Sequence, residues 1–114
     1  MTFALGPALL FCPADRPDRY AKALERADAV ILDLEDAVAP GAKAAAREAL
    51  ADRATALDPA RVIVRVNPAG TTTCDLDLEA LAKSSYRRVR VAKAEDPRGL
   101  DALDEISAAI ARWA

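Results

Sequence analysis

The chain has 114 residues, 53% of them hydrophobic and 30% charged, with a formal net charge of -2 and no histidine. That length suits one domain with one core, and the interspersed charges give no broad attraction for nucleic acid or for an anionic membrane. Without imidazole, carboxylates, lysine and arginine must do any chemistry, and oxygen-liking Mg2+ becomes the expected metal.

The apolar run from Phe3 to Cys12 lacks a basic flank and contains Gly6 and Pro7, so it does not read as a secretion signal. No stretch approaches the roughly 20 apolar residues needed to cross a bilayer, and a soluble, cytoplasmic protein is expected. Cys12 and Cys74 belong to no metal-spaced or redox pair and are expected as reduced, semi-buried fillers. The first predicted unit is a strand at 8–12 and a helix entered through Asp15, as a cap, and Pro17 in its first turn. Tyr20, Leu24 and Ala27 share that helix's inner face. The second unit is a strand at 29–34 and a helix opened by Pro40, with Ala45, Ala46, Ala49 and Leu50 turned inward. Lys43 and Arg47, one turn apart, read as surface residues, although Lys43 could reach back towards Asp36.

The third unit is a valine- and isoleucine-rich strand at 61–66, as buried parallel strands require, a loop at 70–73 and a weaker helix from about Asp75 to Lys83. The fourth is a strand at 87–92 and a helix from Asp96-Pro97, with Leu100, Leu103, Ile106, Ile110 and Trp113 at three-to-four spacing. Strand starts recur roughly every 25 to 30 residues, the repeat of a (β/α)8 barrel. No G-x-G-x-x-G or GxxxxGK[ST] is present, which disfavours the nucleotide-binding alternatives. The fold expected is therefore α/β, a parallel (βα)4 half of a TIM (β/α)8 barrel, with residues 1–114 as a single domain.

In such folds ligands bind beyond the carboxyl ends of the strands, and all four ends carry polar groups: Pro13-Ala14-Asp15-Arg16-Pro17, Asp33-Leu34-Glu35-Asp36, Arg65-Val66-Asn67 and Lys93-Ala94-Glu95. Three neighbouring carboxylates are costly to bury without a cation or donors. Alternation puts Ile31, Asp33 and Glu35 on one face, and Ile63, Arg65 and Asn67 on the corresponding face of the third strand, away from the helices. Arg65 could clamp a substrate carboxylate or a developing enolate oxygen with two hydrogen bonds, or it could form an internal pair with Asp33 or Glu35. Asp36 could serve a site or merely lead into the next helix. Arg16, Arg19 and Lys22 could welcome a phosphate or form a solvated helix face, and Lys93 stands between site and surface.

The segments LLFCPADRPDRYAKAL, DAVILDLEDAVAPGAKAAAREAL and VIVRVNPAG, in that order, resemble the amino-terminal half of citrate lyase β-subunit-like enzymes of the HpcH/HpaI aldolase and citrate lyase superfamily, which includes malyl-CoA lyases. The resemblance implies a (β/α)8 barrel, often trimeric, that uses Mg2+ to cleave or form a carbon–carbon bond between a CoA thioester and a keto acid. It implies that Arg65 binds the substrate carboxylate and enolate, that Asp36 stands beside the metal through a water, and that Glu35, Asn67 and Lys93 line the substrate. Pro13 and Arg16 fall in the CoA-contacting loop. The two direct metal ligands, a Glu and an Asp, are expected on later strands outside this chain, supplied by a second copy or a complementing half-barrel. The alternatives are a catalytically inactive CoA-binding or interaction module and a truncated gene product. One stretch departs from the family's mostly apolar pattern: in Arg87-Arg88-Val89-Arg90-Val91-Ala92-Lys93, an inward Lys93 would turn Val91 and Val89 inward too. Arg88 and Arg90 would then face the helix layer, or guard an open sheet edge.

Overall fold

The computed structural model describes residues 8–91. Strands β1 (Leu9–Pro13), β2 (Ala29–Asp33), β3 (Val62–Val66) and β4 (Val89–Val91) alternate with helices α1 (Tyr20–Glu25), α2 (Lys43–Ala51) and α3 (Thr72–Lys83). The four strands form one sheet in the order β1-β2-β3-β4, and every pairing is parallel. A doubly wound sheet reverses its strand order at a switch point, whereas a barrel adds each strand beside the last. The sequential order is the barrel's, so the chain has the α/β, TIM-type (βα) arrangement expected of it. The fourth helix, with Trp113, lies outside the described residues.

Alternation divides the sheet into two faces. Cys12, Val30, Leu32, Val62, Val64, Val66 and Val91 turn to the helices and bury themselves against Tyr20 of α1, Ala46 and Leu50 of α2, and Leu78 and Leu81 of α3. At about 25 cal/mol per Å2 of apolar surface this layer is the main stabilising contribution. The opposite face carries rows in register: Phe11, Ile31 and Ile63 form one, and Pro13, Asp33, Arg65 and Arg90 the next towards the carboxyl ends. Among the described residues no helix is long and apolar enough to cross a membrane. Cys12 and Cys74 are free and buried.

Several local expectations need correction. Arg16, not Asp15, holds the N-cap position of the turn Pro17–Arg19 that leads into α1, and no side chain caps it. Pro17 does occupy the first turn. In α2 Ala46 and Leu50 are buried but Ala45 is exposed, because the face that reaches the core is the one shared by Ala46 and Leu50, one turn apart. Helix α3 begins at Thr72, earlier than Asp75, because Thr71 Oγ1 accepts the Cys74 amide at 3.1 Å and caps it. Gly70 takes φ 84° just before that cap, a left-handed turn that glycine adopts without a Cβ penalty. In β4 the faces are the reverse of those expected from an inward Lys93: Val91 is buried with the helix layer, and Arg90, paired with Arg65, is exposed on the opposite face.

Candidate active site

The site begins with a fully buried carboxylate. Asp33 is 0% exposed, and four donors surround it. Arg65 Nε reaches Oδ1 at 2.8 Å and Arg65 Nη2 reaches Oδ2 at 2.5 Å, while the amides of Glu35 and Ala37 donate at 2.9 and 3.1 Å. Burial pushes the carboxyl up, but the Arg65 guanidinium and the two amides together hold it below its usual range. The same bond to Asp33 raises the Arg65 pKa. Of the two roles open to Arg65, the internal pair is realised, and Asp33 is the partner. A guanidinium has five donors and Asp33 takes two of them, so an incoming anion still has donors to meet.

Asp33 therefore does two things. It aims Arg65, and its bonds to the Glu35 and Ala37 amides fold the turn that displays Asp36. Glu35 is buried, with its carboxylate 3.7 Å from Arg65 Nη2, whereas Asp36 is exposed. Below Arg65, the ring of Phe11 lies with its centroid 5.0 Å from the guanidinium carbon, a cation–π contact.

Asn67 is not placed as alternation suggested. The strand ends at Val66, and one residue later the pleat no longer sets direction. The buried carboxamide faces the helix layer: its Nδ2 donates to Leu34 O at 2.9 Å and to Asp77 Oδ2 at 2.6 Å, and its Oδ1 accepts from Lys43 Nζ at 3.1 Å. Lys43 also donates to the carbonyls of Leu34 and Glu35 at 2.8 and 2.9 Å. Arg47 pairs with Asp77 at 2.8 Å, with side chains 15% and 1% exposed. Lys43 and Arg47 are thus not surface residues, and Lys43 grips the backbone just before Asp36. Their signal in the sequence was the 43, 46, 47, 50 spacing, which puts both on the stripe of Ala46 and Leu50. Asp77 escaped notice although it shares the buried stripe of Cys74, Leu78 and Leu81.

The first loop is pinned at both ends: the Ala14 amide donates to Asp33 O at 2.9 Å, and buried Tyr20 Oη donates to Ala14 O at 2.5 Å. Beside it lies a cleft of about 580 Å3 lined by Phe11, Pro13, Arg16, Arg19, Lys22 and Arg26 among others. Arg16 is exposed and paired with Asp18 at 3.0 Å. Phe11 thus borders both the cleft and Arg65. Lys93 lies outside the described residues. Among the described residues no group of three or more cysteines or carboxylates is arranged to hold a metal ion.

Known proteins share this fold. The family profile described as HpcH/HpaI aldolase/citrate lyase matches residues 8–112. A citrate lyase subunit beta-like protein of Mycobacterium tuberculosis is 59% identical over 92 residues, covering 81% of this chain and 33% of that protein. A crystal structure of the protein CitE from M. tuberculosis in complex with magnesium, acetoacetate and coenzyme A superposes with a TM-score of 0.83 at 52% identity, covering 91% of this chain and 37% of that one. A citrate lyase beta subunit from M. tuberculosis complexed with oxaloacetate and magnesium gives 0.81 at 55% identity, covering 88% and 44%. RipC from Yersinia pestis is more distant, at 0.61 and 28% identity, covering 86% and 39%. The chain spans about a third of the length of the curated relatives it matches.

Proposed function

Because the chain belongs to the HpcH/HpaI aldolase/citrate lyase family, we propose that it carries the amino-terminal part of a Mg2+-dependent carbon–carbon lyase site. The substrate is a CoA thioester of a hydroxy acid, of the citryl-, malyl- or citramalyl-CoA type, cleaved to a keto acid and an acyl-CoA. The observation that carries this is the aimed guanidinium: Arg65 is held by buried Asp33 at the carboxyl end of the sheet, beside the turn that presents Asp36.

In this scheme the hydroxyl proton leaves, the carbon–carbon bond breaks, and the thioester fragment departs as an enolate that takes up a proton. Arg65 binds the substrate carboxylate and offsets the enolate charge with donors aimed in advance. Asp36 and Glu35 supply oxygen donors of the kind Mg2+ prefers, Asp36 through a water, with the direct ligands coming from outside the chain. When bound, the metal would polarise the keto oxygen. Asn67, saturated by Lys43 and Asp77, positions the strand end, and Lys93 would complete the substrate pocket. Pro13 and Arg16 border the cationic cleft, where the CoA phosphates would lie. Residues 1–114 act as a single domain that is completed by a second copy or a complementing half-barrel.

A second reading has an observation of its own. The cleft beside α1 gathers Arg16, Arg19, Lys22 and Arg26, cations suited to the CoA phosphates, and this feature by itself supports a catalytically inactive CoA-binding module. Incubating the chain with citryl-, malyl- and citramalyl-CoA and Mg2+, alongside calorimetry with CoA, separates the two. Cleavage supports the lyase, binding without cleavage at any protein concentration supports the module, and the absence of both removes each.

A further inference from the structure

Arg90 has the same inner-face position on β4 that Arg65 has on β3. The two are Cα partners in the parallel register, and partners in parallel strands project to the same face about 4.8 Å apart. Arg90 is exposed there, and among the described residues no hydrogen bond or ion pair engages it. Two of the acids around Arg65 are drawn to it: Asp33 is bound bidentately, and Glu35 lies 3.7 Å away. Arg65 thus carries its own counter-ion, whereas Arg90 brings a second, permanently charged fork to the same face.

We infer that Arg90 is a specificity-determining residue: with Arg65 it selects a 2-keto acid that carries a second carboxylate. This rests on the lyase reading of the site. One carboxylate meets the free donors of Arg65, and the other, a few carbons away, meets the Arg90 fork. A monocarboxylic keto acid satisfies Arg65 and leaves Arg90 unmatched. Each arginine–carboxylate pair adds two charge-assisted bonds, so the preference is read directly in relative affinity. The lysine alternative at this position would supply charge without the planar fork.

The test is calorimetry of the 114-residue chain in Mg2+, titrated separately with oxaloacetate and with pyruvate. The unsubstituted chain is expected to bind oxaloacetate more tightly. Arg90→Met should weaken oxaloacetate by at least about tenfold while pyruvate stays within about twofold. Arg90→Lys should recover part of the loss. Arg88→Met removes an equal charge two residues earlier and should leave both acids unaffected. Equal losses for both acids, no change in Arg90→Met, or an Arg88→Met loss of the same size would each overturn the assignment of Arg90. Binding of neither acid to the unsubstituted chain would instead overturn the lyase reading, and this inference with it. Circular dichroism confirms that each variant is folded. Should Arg90→Met fail to fold, the exposed polar replacement Arg90→Gln is held to the same criteria.

Discussion

Removing the Arg65 guanidinium should expose how much the fold depends on its pairing with buried Asp33. In Arg65→Met the Asp33 carboxylate stays fully buried and keeps the Glu35 and Ala37 amides, but loses both bonds from Arg65. Leaving one member of a buried pair costs about 3–5 kcal/mol, and the two surviving amides put this case near 3 kcal/mol. With a urea m-value of about 2 kcal/mol/M, the midpoint should fall by about 1.5 M at pH 7. The pH dependence gives a sharper criterion. In the parent chain the Asp33 pKa is depressed, so its stabilisation is present above the unfolded value near 3.9 and is lost as pH falls through the lower folded value. In the variant burial is no longer offset by the guanidinium, so the folded pKa lies above the unfolded one. The carboxyl's contribution is then largest in acid and declines as pH rises between the two values. The gap between parent and variant should therefore narrow from pH 7 to pH 4. Urea titrations followed by far-UV circular dichroism at both pH values measure it. A loss below about 1 kcal/mol, or a gap that does not change with pH, would refute the assigned role of the pair.

Three further outcomes follow from the same geometry. Lys43→Met strips a cation from the Leu34 and Glu35 carbonyls and from Asn67; a loss of about 1–3 kcal/mol in urea titration is expected, with faster amide exchange at Val38, whose N–H bonds Glu35 O in the same turn. Arg47→Met and Asp77→Asn should be less than additive, with a coupling energy of about 1–3 kcal/mol in a double-mutant cycle, since the two side chains form one buried pair. Cys74, whose thiol burial pushes up to about 11, should react with a thiol reagent at pH 8 far more slowly in the native chain than in urea; equal rates would contradict its buried, inert placement.

The architecture was legible because its determinants are periodic. Alternating valines in 62–66 announced a sheet buried on one face, and the same alternation placed Arg65 correctly on the other. Where a rule of period two was carried past the strand it failed: Asn67, one residue beyond β3, turned to the helix layer. In β4 the parity was taken from Lys93, whereas the register with Val64, Arg65 and Val66 sets it. The buried network of Lys43, Arg47, Asn67 and Asp77 was hidden by residue type. Charged residues on a helix are usually solvated, and only their coincidence with the Ala46 and Leu50 stripe marks these as inner. All four share one hydrogen-bonded chain across two helices and a strand end, and no local pattern contains such a chain.

Asp33 joins stability to function in a way that limits how the site can change. Its Oδ1 accepts from both Arg65 and the Glu35 amide, and its Oδ2 from both Arg65 and the Ala37 amide. The direction of the guanidinium and the shape of the turn carrying Asp36 are thus set by the same two oxygen atoms. A neutral Asp33→Asn side chain keeps one acceptor oxygen and presents an amide where the second stood, so it can match one donor pair and must oppose the other. It follows that Arg65 and the Asp36 turn cannot be displaced separately through Asp33. Substitutions that retune the site independently must come from the residues around it: Phe11 beneath the guanidinium, Lys43 behind the turn, or Arg90 across the row.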